Sequence, residues 1–139
     1  MEIEIGLTPG NSQELIKESA ETIKKRQAKY PPGIKCPGSF FKNIIADSLP
    51  RETIEKIPAE KIVYGKIPAG TLLEMAGAKG ATMGDIEIAD YHANLFINKG
   101  NGTAKDFWEL ARKYSDLVFE KFHIRLEPEV QFINLQPLS

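Results

Sequence analysis

The chain has 139 residues, of which 42% are hydrophobic and 27% are charged, and its formal net charge is −1. This length corresponds to one domain, and the composition is that of an ordinary globular protein. The nearly neutral charge excludes nucleic acid or an anionic membrane as the main partner, because both select a concentrated basic surface. No apolar run approaches the roughly 18 residues of a membrane-spanning helix, and the acidic N-terminus lacks the layout of a signal peptide. Since a lone cysteine, Cys36, suits a reducing compartment, a cytoplasmic location is expected.

Hydrophobic periodicity and turn residues predict helices and strands that alternate irregularly along the chain. In chain order these are a strand at 2–7, a helix at 12–28, a short helix at 51–56, a strand at 61–64, a helix at 68–76, strands at 85–89 and 94–98, a helix at 104–121 and a strand at 126–132. Asn11 and Thr103 are the expected N-caps of the two long helices. Pro128 is expected to place the last strand at an edge or beside a bulge. The pattern indicates an α+β fold with a mostly antiparallel sheet packed with helices.

The residue patterns that usually mark a phosphate or metal site are incomplete in this chain. Segment 65–71 lacks the lysine of a phosphate-binding loop and segment 77–84 lacks the spacing of a dinucleotide fingerprint, so both are interpreted as turns. His92 and His123 lie far apart, and no metal site is predicted. A nucleophile pair made of Cys36 and His92 finds no support in the spacing.

Two polar residues stand out, although spacing assigns no reaction to either. Ser39 follows a Pro-Gly turn and precedes two phenylalanines, which puts a hydroxyl beside an aromatic wall. The simpler interpretation is a turn serine that satisfies a backbone group. Glu129 lies on the polar face of the last predicted strand, where carboxylates are usually solvated. Both residues are therefore candidates, with a structural role as the alternative.

Six short motifs occur in an order that resembles a known family. They are G-S-F-F-K-N at 38–43, A-G-T-L-L-E at 69–74, G-A-K-G at 77–80, H-A-N at 92–94, I-N at 97–98 and L-E-P-E-V at 126–130. Together they resemble the C-terminal, substrate-binding domain of the UDP-N-acetylenolpyruvoylglucosamine reductases, also called UDP-N-acetylmuramate dehydrogenases. The resemblance extends from the helix at 12–28 to Asn134, which is nearly the whole chain.

This resemblance implies a cytoplasmic enzyme of peptidoglycan precursor synthesis that uses FAD and NADPH. The reduced flavin passes hydride to the enolpyruvyl group of a UDP-sugar, and an enolate-like intermediate then needs a proton and charge stabilisation. The resemblance implies that Ser39 donates this proton and that Glu129 assists at the intermediate. It implies substrate contacts for four further residues, with Lys29 at the diphosphate: Asn43, Lys79, His92 and Lys29.

Some positions depart from the family pattern, and other functions stay open. Gln131 stands where many members have arginine, and Ile44 stands where proline often follows the first motif. The FAD-binding domain of the family has no counterpart in residues 1–139, which are interpreted as a single domain. The chain by itself is therefore expected to be inactive until an FAD-binding domain is supplied in cis or in trans. The alternatives are a stand-alone UDP-sugar-binding module and a non-catalytic interaction domain.

Overall fold

The structure is a computed structural model that describes residues 2–30 and 32–138, except for the side chain of Lys29. The helices are α1 (Ser12–Lys29), α2 (Arg51–Ile54), α3 (Ala69–Met75) and α4 (Ala104–Phe122). The strands are β1 (Ile44–Ile45), β2 (Lys66–Ile67), β3 (Thr82–Met83), β4 (Ile86–Ile88) and β5 (Phe96–Asn98). Short 3₁₀ turns lie at Ala46–Ser48 and Ala59–Lys61. The chain divides into two compact units, Met1–Ile34 and Lys35–Ser139.

The first unit contains α1, which begins where the sequence predicts. The side-chain oxygen of Asn11 accepts hydrogen bonds from the backbone N–H groups of Gln13 and Glu14, at 3.0 and 3.4 Å. These bonds satisfy two of the donors that a helix start leaves without an intrahelical partner. The predicted strand at 2–7 is wrong, because these residues adopt neither helix nor strand in the described part of the chain. Alternating side chains give a segment the capacity to pair, but a strand forms only where a partner strand is present.

The second unit holds two small antiparallel sheets. Strands β1 and β2 pair through Ile44 with Ile67 and Ile45 with Lys66. The other sheet has the order β3-β4-β5, in which β4 pairs with both of its neighbours. The predicted α+β fold with antiparallel pairing is thus confirmed, and so is the long helix near 104–121.

The core of the second unit lies where α4 packs against α3 and against the three-stranded sheet. Its largest fully buried side chains include Phe41, Phe96, Leu72, Leu110 and Val118. Phe40, Phe41 and Phe96 form one aromatic cluster, with ring centroids 4.6–6.3 Å apart. Such tilted contacts stabilise aromatic pairs beyond the burial of their area. The G-S-F-F-K-N motif therefore passes through the core.

The predicted strands at 61–64 and 126–132 are also wrong, and β1, β2 and β3 were not predicted. Residues 61–64 lie between a 3₁₀ turn and a tight turn in which Tyr64 and Gly65 have φ values of 49° and 72°. Because of this turn, the strand begins only at Lys66, as β2. Residues 126–132 keep the predicted alternation of burial, but they form one isolated bridge, between Phe41 and Pro128. Proline has no N–H to donate to a further strand, so Pro128 keeps this segment at the edge of the pairing.

Candidate functional site

The segment Ser39–Phe41 lies between two other extended segments of the second unit. On one side Ser39 bridges Leu95, and the Phe40 N–H donates to the Asn94 carbonyl at 3.0 Å. Gly38, just before Ser39, has a φ of 91°, a conformation that favours glycine because it has no Cβ. A tight glycine turn thus delivers Ser39 into a short antiparallel pairing.

The side chain of Asn94 holds the next residue of this segment. Its Oδ1 accepts from the Phe41 N–H at 2.9 Å, and its Nδ2 donates to the Phe41 carbonyl at 2.8 Å. Asn94 is 3% exposed and Phe41 is fully buried, so all four groups in these two bonds are shielded from water. A primary amide offers one acceptor and two donors, and it can therefore pair with a peptide group as a neighbouring strand would.

On the other side of Ser39–Phe41 lies the L-E-P-E-V motif. The Lys42 N–H donates to the Glu127 carbonyl and the Glu129 N–H donates to the Phe40 carbonyl, both at 2.8 Å. Phe41 and Pro128 are opposite each other between these two bonds. That position requires no N–H from residue 128, which explains how a proline fits into the pairing.

The structure therefore brings Ser39 and Glu129 onto neighbouring segments of one small antiparallel arrangement. Both residues are exposed. Within the described part of the chain, neither side chain forms a hydrogen bond or an ion pair. Close by, Lys42 and Glu127 form an exposed ion pair that joins the first and last motifs. The arrangement presents a hydroxyl and a carboxylate from a backbone that is held on both sides.

Asn43 and His92 both adjoin the beginning of α3. The Asn43 Oδ1 accepts from the Ala69 N–H at 3.1 Å, which satisfies one of the free donors at the start of this helix. A Cβ placed on Gly70 would lie 3.2 Å from the His92 ring, so the ring rests directly against the helix backbone at this glycine. The amide of Asn43 and the ring of His92 are thus positioned by the same helix turn.

Lys79 lies apart from these residues, beyond the other end of α3. Its ammonium pairs with the Glu74 carboxylate at 2.8 Å. This hydrogen bond from Lys79 holds the pKa of the Glu74 carboxyl below its usual value. The seven residues of α3 rise by about 10 Å, which separates this ion pair from Ala69. Lys29 closes α1 in the first unit, and its side chain lies outside the described part of the chain.

An open, mostly apolar cavity of about 410 Å³ adjoins the Ser39 and Glu129 segments. Its walls include Cys36, Phe40, Phe107, Gln131 and Phe132. Gln131, the residue that departs from the family's arginine, thus faces a cavity rather than a charged partner. Apolar walls with a few polar groups are typical of ligand sites.

The glycine-rich turns do not suit the diphosphate of a dinucleotide cofactor. An added Cβ would meet the Asp90 carboxylate at Gly80, the Asp106 carboxylate at Gly84 and the Asp85 carboxylate at Gly100, at 2.7–3.0 Å. Carboxylates repel phosphate, whereas a phosphate loop offers free backbone N–H groups. The described residues contain no group of three or more histidine, cysteine or acidic side chains able to hold a metal.

In the same part of the chain, no helix is both long and apolar enough to cross a membrane.

One important residue of this arrangement was not predicted. Asn94 lies within the quoted H-A-N motif, but its role depends on a hydrogen-bonded partner 53 residues away. The signal available in the sequence is an asparagine inside the apolar run A-N-L-F-I at 93–97. A buried polar residue needs a partner, so such an asparagine indicates a clamp without identifying what it holds.

The fold and motifs match those of one family of enzyme domains. The family model described as "UDP-N-acetylenolpyruvoylglucosamine reductase, C-terminal domain" matches residues 29–133. The chain belongs to this family of reductase domains, as the resemblance of its six motifs implies.

Individual relatives give the same result. The chain is 42% identical over 130 residues to the UDP-N-acetylenolpyruvoylglucosamine reductase of Solibacter usitatus, covering 94% of this chain and 42% of that protein. It is 28% identical to the Alkaliphilus oremlandii reductase, covering 96% of this chain and 37% of that protein. The crystal structure of the Thermus caldophilus reductase matches with a TM-score of 0.58 and 28% identity, over 91% of this chain and 37% of that one. The chain thus spans about two fifths of the length of these relatives.

Proposed function

We propose that this chain is the substrate-binding and proton-donating part of a reductase that converts the enolpyruvyl UDP-sugar to UDP-N-acetylmuramate. The observation that carries the proposal is the paired backbone that holds Ser39 and Glu129 on adjacent segments with unengaged side chains. Family membership supports the reaction class, because the matched relatives are named as reductases of this substrate. A cytoplasmic location and a role in peptidoglycan precursor synthesis belong to the same proposal.

The reduction adds a hydride and a proton across the enolpyruvyl double bond. FAD, reduced by NADPH, supplies the hydride in this proposal, and the glycine turns of the chain do not fit its diphosphate. An FAD-binding domain, in cis or in trans, is the partner that the proposal requires. The residues of this chain then have two tasks, which are to hold the UDP-sugar and to deliver the proton.

Proton delivery is assigned to the Ser39 hydroxyl, which donates to the carbon next to the substrate carboxylate. Glu129 is assigned to the same centre, where it assists the transfer of the proton to the enolate-like intermediate. Both residues are exposed, so a bound substrate can reach them. Fixing the backbone reduces the conformational freedom that would otherwise be lost in the transition state.

Substrate binding is assigned to Asn43, His92, Lys79 and Lys29. The side-chain oxygen of Asn43 accepts from the Ala69 N–H of α3, which leaves the side-chain NH₂ group for a substrate oxygen. Lys79 provides a compact positive charge suited to a diphosphate, although it must share this charge with Glu74. Because α3 separates Lys79 from Asn43, these residues suit opposite ends of an extended ligand such as a UDP-sugar.

Binding is tested with the chain alone, by titration with the enolpyruvyl UDP-sugar and backbone amide NMR. Saturable shifts are expected at Ser39, Asn43, His92 and Glu129. UDP-glucose serves as the control ligand, since it retains the nucleotide and lacks the enolpyruvyl group. The absence of shifts at millimolar substrate would contradict a preformed substrate site in this chain.

Catalysis is tested by supplying the chain to the part of the Solibacter usitatus reductase that lies outside the match. NADPH oxidation dependent on the UDP-sugar is the measurement. Ser39→Ala is expected to lower kcat about 10²–10⁴-fold, the usual contribution of a general acid. Ser48→Ala is the matched control, because its hydroxyl bonds the Ile45 carbonyl on another surface. Binding without turnover in every combination would favour the stand-alone binding module.

Glu129→Gln tests the second catalytic group in the same assay. It is expected to lower kcat and leave the KM for the UDP-sugar nearly unchanged. Glu127→Gln is its control, because Glu127 lies in the same motif and its side chain forms an exposed ion pair with Lys42. Equal effects of the two substitutions would show that general electrostatics, rather than Glu129 itself, supports the reaction.

A further inference from the structure

We propose that Asn94 is a positioning residue that sets the orientation of the Ser39 hydroxyl. The inference rests on the proposed function, since it concerns the same proton donor. Asn94 need not touch the substrate, and it acts through the backbone of residues 39–41. Its three hydrogen bonds to this segment use its own carbonyl, its Oδ1 and its Nδ2.

The local backbone explains why Ser39 needs such a support. On its N-terminal side lies Gly38, whose φ of 91° belongs to a region that glycine enters and leaves easily. The direction of Ser39 therefore depends on its bridge to Leu95 and on its C-terminal side, where Phe40 and Phe41 are bonded to Asn94. The Asn94 amide binds both polar groups of the Phe41 peptide, so a rotation of this segment would break two buried bonds together.

A second set of contacts connects this clamp to α3. A Cβ on Gly70 would lie 3.4 Å from the Cβ of Asn94, so Asn94 is supported directly by the helix. Four residues after Ser39, Asn43 bonds the first N–H of the same helix. The segment 39–43 is thus attached to α3 twice, once through Asn94 and once through Asn43. One rigid helix thereby determines the relative positions of the proton donor and a substrate-binding amide.

The chemistry of the clamp requires an amide. Aspartate has the same shape and could accept from the Phe41 N–H, but its second oxygen would oppose the Phe41 carbonyl in a buried place. Serine retains one donor and acceptor in a smaller volume and cannot reach both groups at once. Asn94→Asp and Asn94→Ser therefore each remove part of the same contact in a different way.

The test is a double-mutant cycle in the reconstituted NADPH oxidation assay. Asn94→Asp is expected to lower kcat about 10²-fold, which is the scale of a misplaced catalytic group, with the KM for the UDP-sugar within about two-fold. If Asn94 acts through Ser39, adding Asn94→Asp to Ser39→Ala produces no further loss. A residue with a merely structural role would lower the rate of both backgrounds by the same factor, and this additive result would overturn the inference.

Asn98→Ala is the matched control. Asn98 also forms three side-chain hydrogen bonds, to the backbone of Gly100 and Gly102, but none to residues 39–41. Its effect on kcat is expected to combine additively with Ser39→Ala. Folding is checked by the fluorescence of Trp108 for every variant. If neither Asn94 variant folds, Asn94 is a residue of the core and the positioning role is overturned.

The same assay separates this inference from the proposed function. If Ser39→Ala retains the full rate, the proposed function fails, whatever the Asn94 variants do. If Ser39→Ala is slow and both Asn94 variants keep the rate and KM of the unaltered chain, only the positioning role fails. Amide exchange provides a structural readout: Asn94→Ser should accelerate exchange at Phe41 and leave the Val118 amide of α4 protected.

Discussion

Helices α1 and α4 have nearly the same length and the same kind of beginning, yet they differ in how far their apolar side chains are buried. They contain 18 and 19 residues, and each follows a glycine and a polar N-cap, Asn11 or Thr103. Helix α4 buries Leu110, Ala111, Tyr114, Val118 and Phe122. In α1 the larger apolar side chains stay exposed, with Ile16 70% and Ile23 50% accessible.

This difference separates two causes of helix formation. Capping and periodicity act within a few residues, and they are present in both helices. Burial depends on a surface to pack against, and most helix stability in proteins comes from such packing. Helix α4 has both contributions, while α1 depends on local interactions. The protein has a single tryptophan, Trp108 in α4, so its fluorescence reports on the second unit alone.

The largest difference is expected from deleting one apolar side chain in each helix. Leu110→Ala should lower the free energy of unfolding by about 2–5 kcal/mol, because it opens a cavity at a fully buried site. Ile16→Ala should change it by less than about 0.5 kcal/mol, as for an exposed position. Urea unfolding measures both, followed by Trp108 fluorescence for Leu110→Ala and by far-UV circular dichroism for Ile16→Ala. A large effect of Ile16→Ala would mean that the α1 face is covered in solution.

A smaller difference is expected at the glycines that precede the two N-caps. A Cβ on Gly102 would lie 2.3 and 2.9 Å from two carbons of buried Ile86, so Gly102→Ala should cost about 1–3 kcal/mol through overpacking. A Cβ on Gly10 would lie 3.1 Å from the Cδ1 of Leu15, the end of an exposed side chain that can move aside. Thermal unfolding of both alanine variants compares the two sites. Equal melting temperatures would contradict the packing difference.

The two N-caps should stabilise their helices by similar free energies, but a different measurement detects each of them. Thr103→Ala removes a capping box in which Thr103 and Asp106 bond each other reciprocally, and should cost about 1 kcal/mol in Trp108-monitored unfolding. Asn11→Ala should leave that transition unchanged and lower the helical signal in far-UV circular dichroism, because α1 has little other support. A shift of the Trp108 transition by Asn11→Ala would show that the two helices are energetically coupled.

The smallest expected effect is the response of the α4 cap to acid. Hydrogen bonds from the Thr103 N–H and hydroxyl lower the pKa of the Asp106 carboxyl from its usual 3.8. A carboxyl whose folded pKa is depressed stabilises the fold above its unfolded pKa, and this contribution is lost as the pH falls below that value. Asp106→Asn should therefore flatten the acid limb of stability below about pH 4. The pairing of Lys79 with Glu74 has the same sign, so part of the limb should persist.

Local signals in the sequence were sufficient for the helices. Asn11 and Thr103 mark the beginnings of α1 and α4, and Pro68 marks that of α3 within one residue. Strands β4 and β5 lie within segments 85–89 and 94–98, which are predicted as strands. Each of these signals depends on residues close together in the chain. Steric preferences and hydrogen bonds to nearby N–H groups are enough to produce these signals.

The strands that failed show what local patterns omit. Residues 2–7 and 126–132 alternate as strands do, but the first has no partner in the described part of the chain and the second has one bridge at Pro128. Strands β1 and β2 are two residues each, too short to leave a periodic signal. Pairing requires a second segment at the right distance, and nothing in a single window specifies it.

The candidate site likewise has one part that the sequence predicted and another that only the tertiary structure decided. The six motifs indicated the family and contain the candidates Ser39, Glu129, Asn43, His92 and Lys79, while Lys29 was chosen by its position before the first motif. The tertiary structure decided which of them are neighbours. It placed Ser39 beside the Glu129 segment, separated Lys79 by the length of α3, and added Asn94, whose bonds span 53 residues. The sequence by itself determines which residue types are present. A buried polar group must find a hydrogen-bond partner, because leaving it unpaired is costly, and only the folded structure determines which distant residue supplies that partner.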